Sequence, residues 1–503
     1  MRFSKPNKKQ LLRYRNRPFT LNAFRLTFLT LSLFFFYLFF SESRTFPPTW
    51  PDEVLFFSPS QQLANTGTLR TDVLIGLIPG MESKTLWMTP GYLLLSSGFL
   101  KIFPQTLLTV RCLSFFSIYL SAFLLVILLF RFKFNKVSII IAFATMIMEP
   151  LFFRFGIPAR MEGATILFFI ASLLLASSNI HFLIKSILAG LFFGCSVMTH
   201  PFAASLGLIP LYLLIYDNPR RMGSLCTFFI GVGIPVIGWI YYIYPDWELF
   251  VVQFGAQLER KKALFSTFDL ITKLKIFIFG FAYAKIRIFI IAFQVFLISL
   301  LSYQRWTKGE TLPKRYVLYW IWMLSVILSI YSSSEGWYVI HFLFPFALGM
   351  AIISEQKVIG VRLALFGILI SLAGWLHFIY LHHIKYNSEQ ILNEHFEKVY
   401  TSIGSSHKIY IQAIPDPYFY LKAQNPNLQI LEFIPGELSI PSEVFKQTIS
   451  EQDAFIFYNE DLINVAIKEL LDADKDWIRE EWTIPVPPQH WLAFKTIIYR
   501  KPK

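Results

Sequence analysis

Apolar runs recur along the chain from residue 24 to residue 380, each bounded by a short cluster of charged or turn-forming residues. None alternates strictly as a barrel strand would. In lipid every backbone N–H and C=O must be satisfied internally, so these runs predict helices. Spanning helices are predicted near residues 24–40, 107–130, 137–153, 163–177, 182–198, 202–216, 225–244, 281–301, 316–331, 337–353 and 361–380, about eleven crossings. Beyond Lys385 the pattern changes. Candidate helices (Ser388 to Ile403, Asn459 to Ala473) alternate with short apolar strands (Lys408 to Ala413, Gln429 to Phe433, Ala454 to Tyr458, Trp491 to Tyr499), which predicts a small α/β fold. The expected architecture is an all-α polytopic membrane domain with about eleven transmembrane helices plus a small C-terminal α/β soluble domain. Its parts are a basic N-terminus over 1–21, the membrane domain over 22–384 with a long outer loop at 41–106, and the soluble domain over 385–503.

Composition points the same way, since 55% hydrophobic and 18% aromatic residues with a mean hydropathy of +0.51 exceed what one soluble core absorbs over 503 residues. The net charge of +14 does not imply nucleic acid, because the lysines and arginines form no single stripe interleaved with stacking aromatics. They mark topology instead. Arg2, Lys5, Lys8, Lys9, Arg13, Arg15 and Arg17 predict a cytoplasmic N-terminus, and Ser41-Glu42-Ser43-Arg44 offers no cleavage site for a signal peptide. On that orientation the Lys- and Arg-rich connections at 131–136, 217–221 and 304–315 are cytoplasmic. An odd number of crossings then places loop 41–106 and the C-terminal domain outside, as in a multi-pass protein of the inner membrane.

The polar residues left at the outer ends of the spans are the candidates for chemistry. They are Asp52 and Glu53, Arg154, Arg160 and Glu162, the Thr199-His200-Pro201 segment, and Glu335-Gly336-Trp337-Tyr338. Each has a plain structural alternative. Asp52-Glu53 also suits a solvated acidic pair at a helix start behind Pro51. Arg160 with Glu162 suits a snorkelling arginine and a capping glutamate, and Lys285 and Arg287 suit snorkelling or an anionic headgroup. His200 and His341 suit packing or interface roles. Cys112, Cys195 and Cys226 fall inside apolar runs and form no disulfide or metal-type pattern. No Gly-rich phosphate loop is present, so an activated donor would have to reside in the membrane.

The order of these motifs resembles that of the GT-C membrane glycosyltransferases, in the branch of the protein O-mannosyltransferases, the lipid A aminoarabinose transferases and the RgtA/B/C/D-like bacterial enzymes. Trp50-Pro51-Asp52-Glu53-Val54-Leu55-Phe56-Phe57-Ser58, followed by Leu63-Ala64-Asn65-Thr66-Gly67, is similar to the family's outer-loop opening. Met88-Thr89-Pro90-Gly91-Tyr92-Leu93 is similar to its Pro-Pro-Leu-Tyr segment. Ala159-Arg160-Met161-Glu162 resembles its Arg-x-Glu/Asp motif, Met198-Thr199-His200-Pro201 its Thr-His element, and Trp337 to Pro345 its late Tyr-and-Pro segment. The likeness covers roughly residues 20–350. Two positions depart from it: Met88 stands where many relatives carry Lys or His, and Gly91 replaces the usual Leu.

The resemblance implies transfer of a sugar from a polyprenyl-phosphate donor to an envelope acceptor, whether lipid, glycan or protein, at the outer face. Such a step needs a positioned carboxylate to take the acceptor proton and cations to meet the departing phosphate. It implies Asp52 as general base, with inversion at the anomeric carbon, and Glu53 as its catalytic neighbour that orients the loop or the acceptor. Arg160 holds the phosphate or pairs with an acidic side chain, and Glu162 fixes Arg160. Lys84, Lys285, Arg287 and His341 are further candidates for the donor phosphate, with Lys84 the nearest cation to Met88, and His200 and Tyr338 support the site. No metal ligands are assigned, and a divalent metal is left open as a possible cofactor. Membrane lipid is an expected partner; nucleic acid is not. The C-terminal domain suits acceptor recognition, a lid or a structural cap. The rival readings are a carrier or flippase that binds a polyprenyl-linked sugar without cleaving it, which the lack of an internal repeat disfavours, and an inactive scaffold of the same fold.

Overall fold

The computed structural model describes residues 21–216, 221–266, 284–331, 336–356, 358–433, 442–474, 476–488 and 490–502. The membrane part comprises α1 (Leu21–Glu42), α2 (Pro51–Thr66), α3 (Gly91–Leu100), α4 (Leu107–Arg131), α5 (Lys136–Ile147), α6 (Pro150–Gly156), α7 (Glu162–Ala176) and α8 (Phe182–Thr199). It continues through α9 (Leu208–Tyr216), α10 (Arg221–Ile243), α11 (Trp247–Ser266), α12 (Ala284–Thr307), α13 (Lys314–Tyr331), α14 (Val339–Gln356) and α15 (Val358–Ile379). All eleven predicted crossings fall on helices, but length and composition sustain fewer. Among the described residues six helices are long and apolar enough to cross a membrane, or seven if the bent pair α5–α6 is one span. The helices Glu162–Ala176, Pro201–Tyr216 and Val339–Glu355 are shorter apolar segments.

The run 137–153, predicted as one straight span, breaks instead by 57° between α5 and α6. Pro150 removes a backbone donor and drives Glu149 to an extended conformation, φ −76 and ψ 117, so the helix cannot continue. The Glu149 carboxylate then accepts from the Leu151 N–H at 3.2 Å and caps the second half.

Small residues set the closest helix contact. A Cβ on Gly190 of α8 would lie 2.0 Å from the Phe228 carbonyl, and one on Gly231 of α10 would lie 2.2 Å from the Ile187 carbonyl. Gly190 and Gly194 are spaced as the small residues that let membrane helices approach backbone to backbone.

Polar contacts gather at opposite ends of the helices. At one end the Asn135 N–H donates to Glu355 at 3.0 Å and Arg315 pairs with the same carboxylate. This joins the α4–α5 turn to the start of α13 and the end of α14, connections that the charge pattern assigns to a common side. The other end carries loop 41–106 and the C-terminal unit.

That unit runs α16 (Ser388–Ile403), β1 (Lys408–Gln412), α17 (Tyr418–Gln424), β2 (Gln429–Glu432), α18 (Ser442–Ser450), β3 (Ala454–Phe457), α19 (Val465–Ala473), β4 (Ile478–Thr483) and β5 (Lys495–Arg500). The sheet order is β2-β1-β3-β5-β4, with β1 parallel to β2 and β3 and with β5 antiparallel to β3 and β4. The four strands expected from apolar runs are present. The fifth, β4, reads Ile-Arg-Glu-Glu-Trp-Thr and lies at an edge, where charged side chains are stable in water and no apolar signal is needed.

The C-terminal unit shares one core with the outer loop. Val54, Leu55, Phe57, Val73, Leu77 and Trp87 pack in the same cluster as Ile409, Ile411, Phe455 and Ile497. Backbone bonds join them: Asp416 N–H to the Thr49 carbonyl and Glu432 N–H to the Val73 carbonyl, both at 2.9 Å. The loop is therefore covered by the domain. The buried face of α2 packs against protein.

Candidate active site

Asp52 and Glu53 occupy the first turn of α2, behind Pro51, where the unpaired N–H groups of the helix start favour negative charge. Adjacent residues on a helix point about 100° apart. The two carboxylates therefore have different surroundings. Glu53 faces inward and is fully buried, accepting from Arg111 Nε at 2.9 Å and Nη2 at 2.6 Å, from the Ala159 N–H at 2.7 Å and from the Trp50 N–H at 3.3 Å. Arg111 in turn donates to the Ser43 carbonyl at 2.7 Å. One ion pair thus ties α2, α4, the end of α1 and the segment before Arg160. Asp52 keeps 24% of its side chain exposed and pairs with Arg160 Nη1.

Arg160 sits just before α7 and is almost wholly buried. Its Nη2 donates to Glu162 at 2.9 Å and its Nε contacts both Glu162 oxygens at 3.2 and 3.3 Å. The Trp337 ring lies 4.3 Å from the guanidinium carbon, and Phe56 lies 5.9 Å away. A guanidinium held by a carboxylate on one edge and an aromatic face loses little freedom when it binds a further anion. Trp337 also packs edge-on against Trp50, 5.1 Å between centroids. A continuous group therefore runs from α2 to the segment before α14.

The second group lies next to it. Tyr338 Oη contacts His200 Nε2 at 3.3 Å, while His200 Nδ1 accepts from the Phe202 N–H at 3.0 Å. Phe202 lies between the rings of Tyr338 (4.8 Å) and His341 (4.4 Å). His341 is buried, and neither ring nitrogen meets a partner among the described residues.

Lys84 is placed elsewhere. Its Nζ pairs with Asp246 at 2.5 Å, donates to the Tyr242 carbonyl at 3.1 Å and lies over the Tyr242 ring. The loop bearing it is pinned to α11 by Gln253, which accepts from the Leu86 N–H and donates to the Pro79 and Lys84 carbonyls. Glu335 and the side chains of Lys285 and Arg287 lie outside the described residues. A small, partly open cavity of about 40 Å³ among α5, α12, α14 and α15, lined by Thr145, Glu149, Ile290, Phe346, Met350 and Ser371 among others, contains none of the candidate residues.

The structure thus joins Asp52, Glu53, Arg160 and Glu162, sets His200, Tyr338 and His341 beside them through Trp337, and separates Lys84. The sequence reading passed over Arg111, though a lone arginine inside an apolar run is itself a signal that a buried anion awaits it. It also gave Trp337 no role, because an aromatic residue near a membrane surface has a sufficient ordinary explanation.

No family model and no curated protein matches the chain. Among solved structures, the crystal structure of ArnT from Cupriavidus metallidurans bound to undecaprenyl phosphate is similar at a TM-score of 0.56 and 10% identity, covering 94% of this chain and 99% of that one. At that identity the likeness shows the fold alone.

Proposed function

We propose that this chain is an integral membrane glycosyltransferase that moves a sugar from a polyprenyl-phosphate donor to an envelope acceptor, lipid, glycan or protein, on the outer face of the inner membrane. Its N-terminus lies in the cytoplasm and its C-terminal domain outside. The observation that carries the reading is the contact of a partly exposed carboxylate, Asp52, with a buried arginine, Arg160, that Glu162 and Trp337 hold in place. The similar ArnT structure, a complex with undecaprenyl phosphate, supports a lipid-linked donor.

In this reading the acceptor hydroxyl attacks the anomeric carbon from the face opposite the phosphate. The new C–O bond forms as the bond to the phosphate oxygen breaks, the proton passes to Asp52, and polyprenyl phosphate leaves with its bonding electrons. The configuration inverts. Arg160 is shared between Asp52 and Glu162, so an arriving donor phosphate competes with Asp52 for the guanidinium and frees that carboxylate to act as base. Glu162 keeps Arg160 aimed meanwhile. Glu53 serves by fixing the loop, since Arg111 and two backbone donors occupy its oxygens. His341, with His200 and Tyr338 behind it, is the next donor to the phosphate, while Lys84, held by Asp246, stands apart from this group.

The test is Asp52→Asn in membranes supplied with a polyprenyl-phosphate sugar and envelope lipid. Transfer is expected to fall by roughly 10²–10⁴-fold while donor binding persists. Undiminished transfer would remove Asp52 from the role of base. Donor binding by the unaltered chain with no transfer to any acceptor would favour a carrier.

A further inference from the structure

At the outer end of α1, apart from the Asp52–Arg160 group, three side chains from distant parts of the chain converge. Glu42 ends α1, and His382 and His383 lie on the single π-helical turn Tyr380–Lys385 that follows α15. Glu42 Oε2 contacts His382 Nδ1, Glu42 Oε1 contacts His383 Nε2 at 2.7 Å, and one ligand-type atom from each residue lies within 4.8 Å of the others. Glu42 and His382 are buried, while His383 is 44% exposed. The proposed transfer reaction uses none of them.

Neighbouring oxygens orient the cluster. Thr45 Oγ1 lies 3.1 Å from His382 Nε2 and 3.2 Å from the Glu42 carbonyl, and His382 Nδ1 is the atom turned to the Glu42 carboxylate. A histidine whose far nitrogen meets a fixed oxygen is the usual arrangement of a metal-bound imidazole. Ser41 Oγ, donating to Glu42 Oε1 at 2.7 Å, orients the carboxylate in the same way. Phe378 and Trp491 cover His382, with centroids 5.3 and 5.4 Å from its ring, and close the site from that side.

We propose that Glu42, His382 and His383 bind a divalent transition metal, zinc by preference. Two imidazoles and one carboxylate are borderline ligands that suit Zn²⁺ and exclude the hard cations Ca²⁺ and Mg²⁺, which take oxygen alone. With bonds of about 2.0–2.2 Å, tetrahedral ligand atoms sit roughly 3.3 Å apart, so small side-chain rotations admit the ion. The exposed edge at His383 leaves the fourth position to water. The ion would fasten the end of α1 to the junction between α15 and the C-terminal domain, and it would hold the Ser43–Trp50 segment that delivers Asp52. Its role is structural and stands independently of the transfer chemistry.

The test uses the full chain in detergent, with any affinity-tag histidines removed, stripped by chelator and then equilibrated with zinc. Elemental analysis is expected to find one zinc per chain, and Co²⁺ in its place is expected to give the visible absorption of a four-coordinate ion. His383→Ala, a half-exposed position that the fold tolerates, and Glu42→Gln are expected to abolish both signals, while His407→Ala leaves them intact. Thr45→Val, which removes the hydroxyl beside His382 Nε2, is expected to weaken binding by about 10–100-fold. No stoichiometric zinc in the unaltered chain overturns the proposal. Zinc undiminished by His383→Ala also overturns it, whether or not Glu42→Gln folds.

Discussion

The ion pair between Glu53 and Arg111 provides the sharpest test of how the outer loop is held. Both side chains are fully buried and joined by two hydrogen bonds, and Glu53 also accepts from the backbone N–H groups of Ala159 and Trp50. Glu53→Gln preserves shape and one acceptor oxygen but strands the Arg111 charge in an apolar surrounding. Breaking a buried pair from one side costs roughly 3–5 kcal/mol, most of it the desolvation of the abandoned partner. Arg111→Met costs a similar amount for the same reason. The double substitution removes both charges, so its cost should fall below the sum of the singles by about 1–3 kcal/mol. The measurement is the fraction of detergent-solubilised chain that stays monodisperse through a heating series, compared across the four proteins of the cycle. Asp52→Asn serves as the contrast. It removes a partly exposed partner while Glu162 remains on Arg160, and it should cost no more than about 1 kcal/mol. Additive single effects, or a Glu53→Gln protein as heat-stable as the unaltered one, would refute the reasoning.

Other outcomes follow from the same geometry. Arg160→Lys keeps the charge but cannot bridge Asp52 and Glu162 in one plane, so transfer should drop by 10-fold or more, on the order of the ~1.4 kcal/mol that one good hydrogen bond supplies, with folding retained in the heating series. Gly91→Leu, which restores the residue usual in the resembled family, should destabilise by about 1–3 kcal/mol or more. A Cβ there would lie 2.7 Å from both the Met198 carbonyl and Thr199 Oγ1, and the expected sign is a lower midpoint in the same assay. In the C-terminal unit, burial and then the Lys398 charge push His395 down to about 4. The unfolded chain takes up that proton first, so the contribution is complete above about pH 6.5 and is lost as pH falls toward 4. Asp416 and Glu432 act with the opposite sign. Burial raises both, and among the described residues no donor reaches Asp416 Oδ2 or either Glu432 oxygen, so a shared proton completes the pair. Their contribution is present at acid pH and lost as pH rises above the ordinary carboxylate range. Glu432→Gln should flatten the alkaline limb of unfolding followed by tryptophan fluorescence and leave the acid limb unchanged.

Much of this protein is written in one dimension. Lipid permits only helices for long apolar runs, so the positions of the apolar helices, the change to a soluble pattern near Lys385 and four of the five strands follow from hydropathy and periodicity alone. The acidic pair behind Pro51 and the Arg160-Met161-Glu162 segment were legible for a similar reason, since charge at the end of an apolar run has few places to go.

Contacts between residues far apart in the chain were not legible, because nothing local encodes them. Asp52 and Glu53 look alike in sequence, and only the turn of α2 sends one to Arg160 and the other to Arg111. The bend at Pro150, the shortness of α7, α9 and α14 and the charged start of α13 leave six or seven clear spans among the described residues where periodicity counts eleven. Glu42 meets His382 across 340 positions, and Lys84 finds Asp246 across 162 instead of the acidic pair. The solvent fixes which segments enter the membrane. Packing fixes which charges meet inside it, and that depends on helix rotation and distance in space, which the order of residues does not carry.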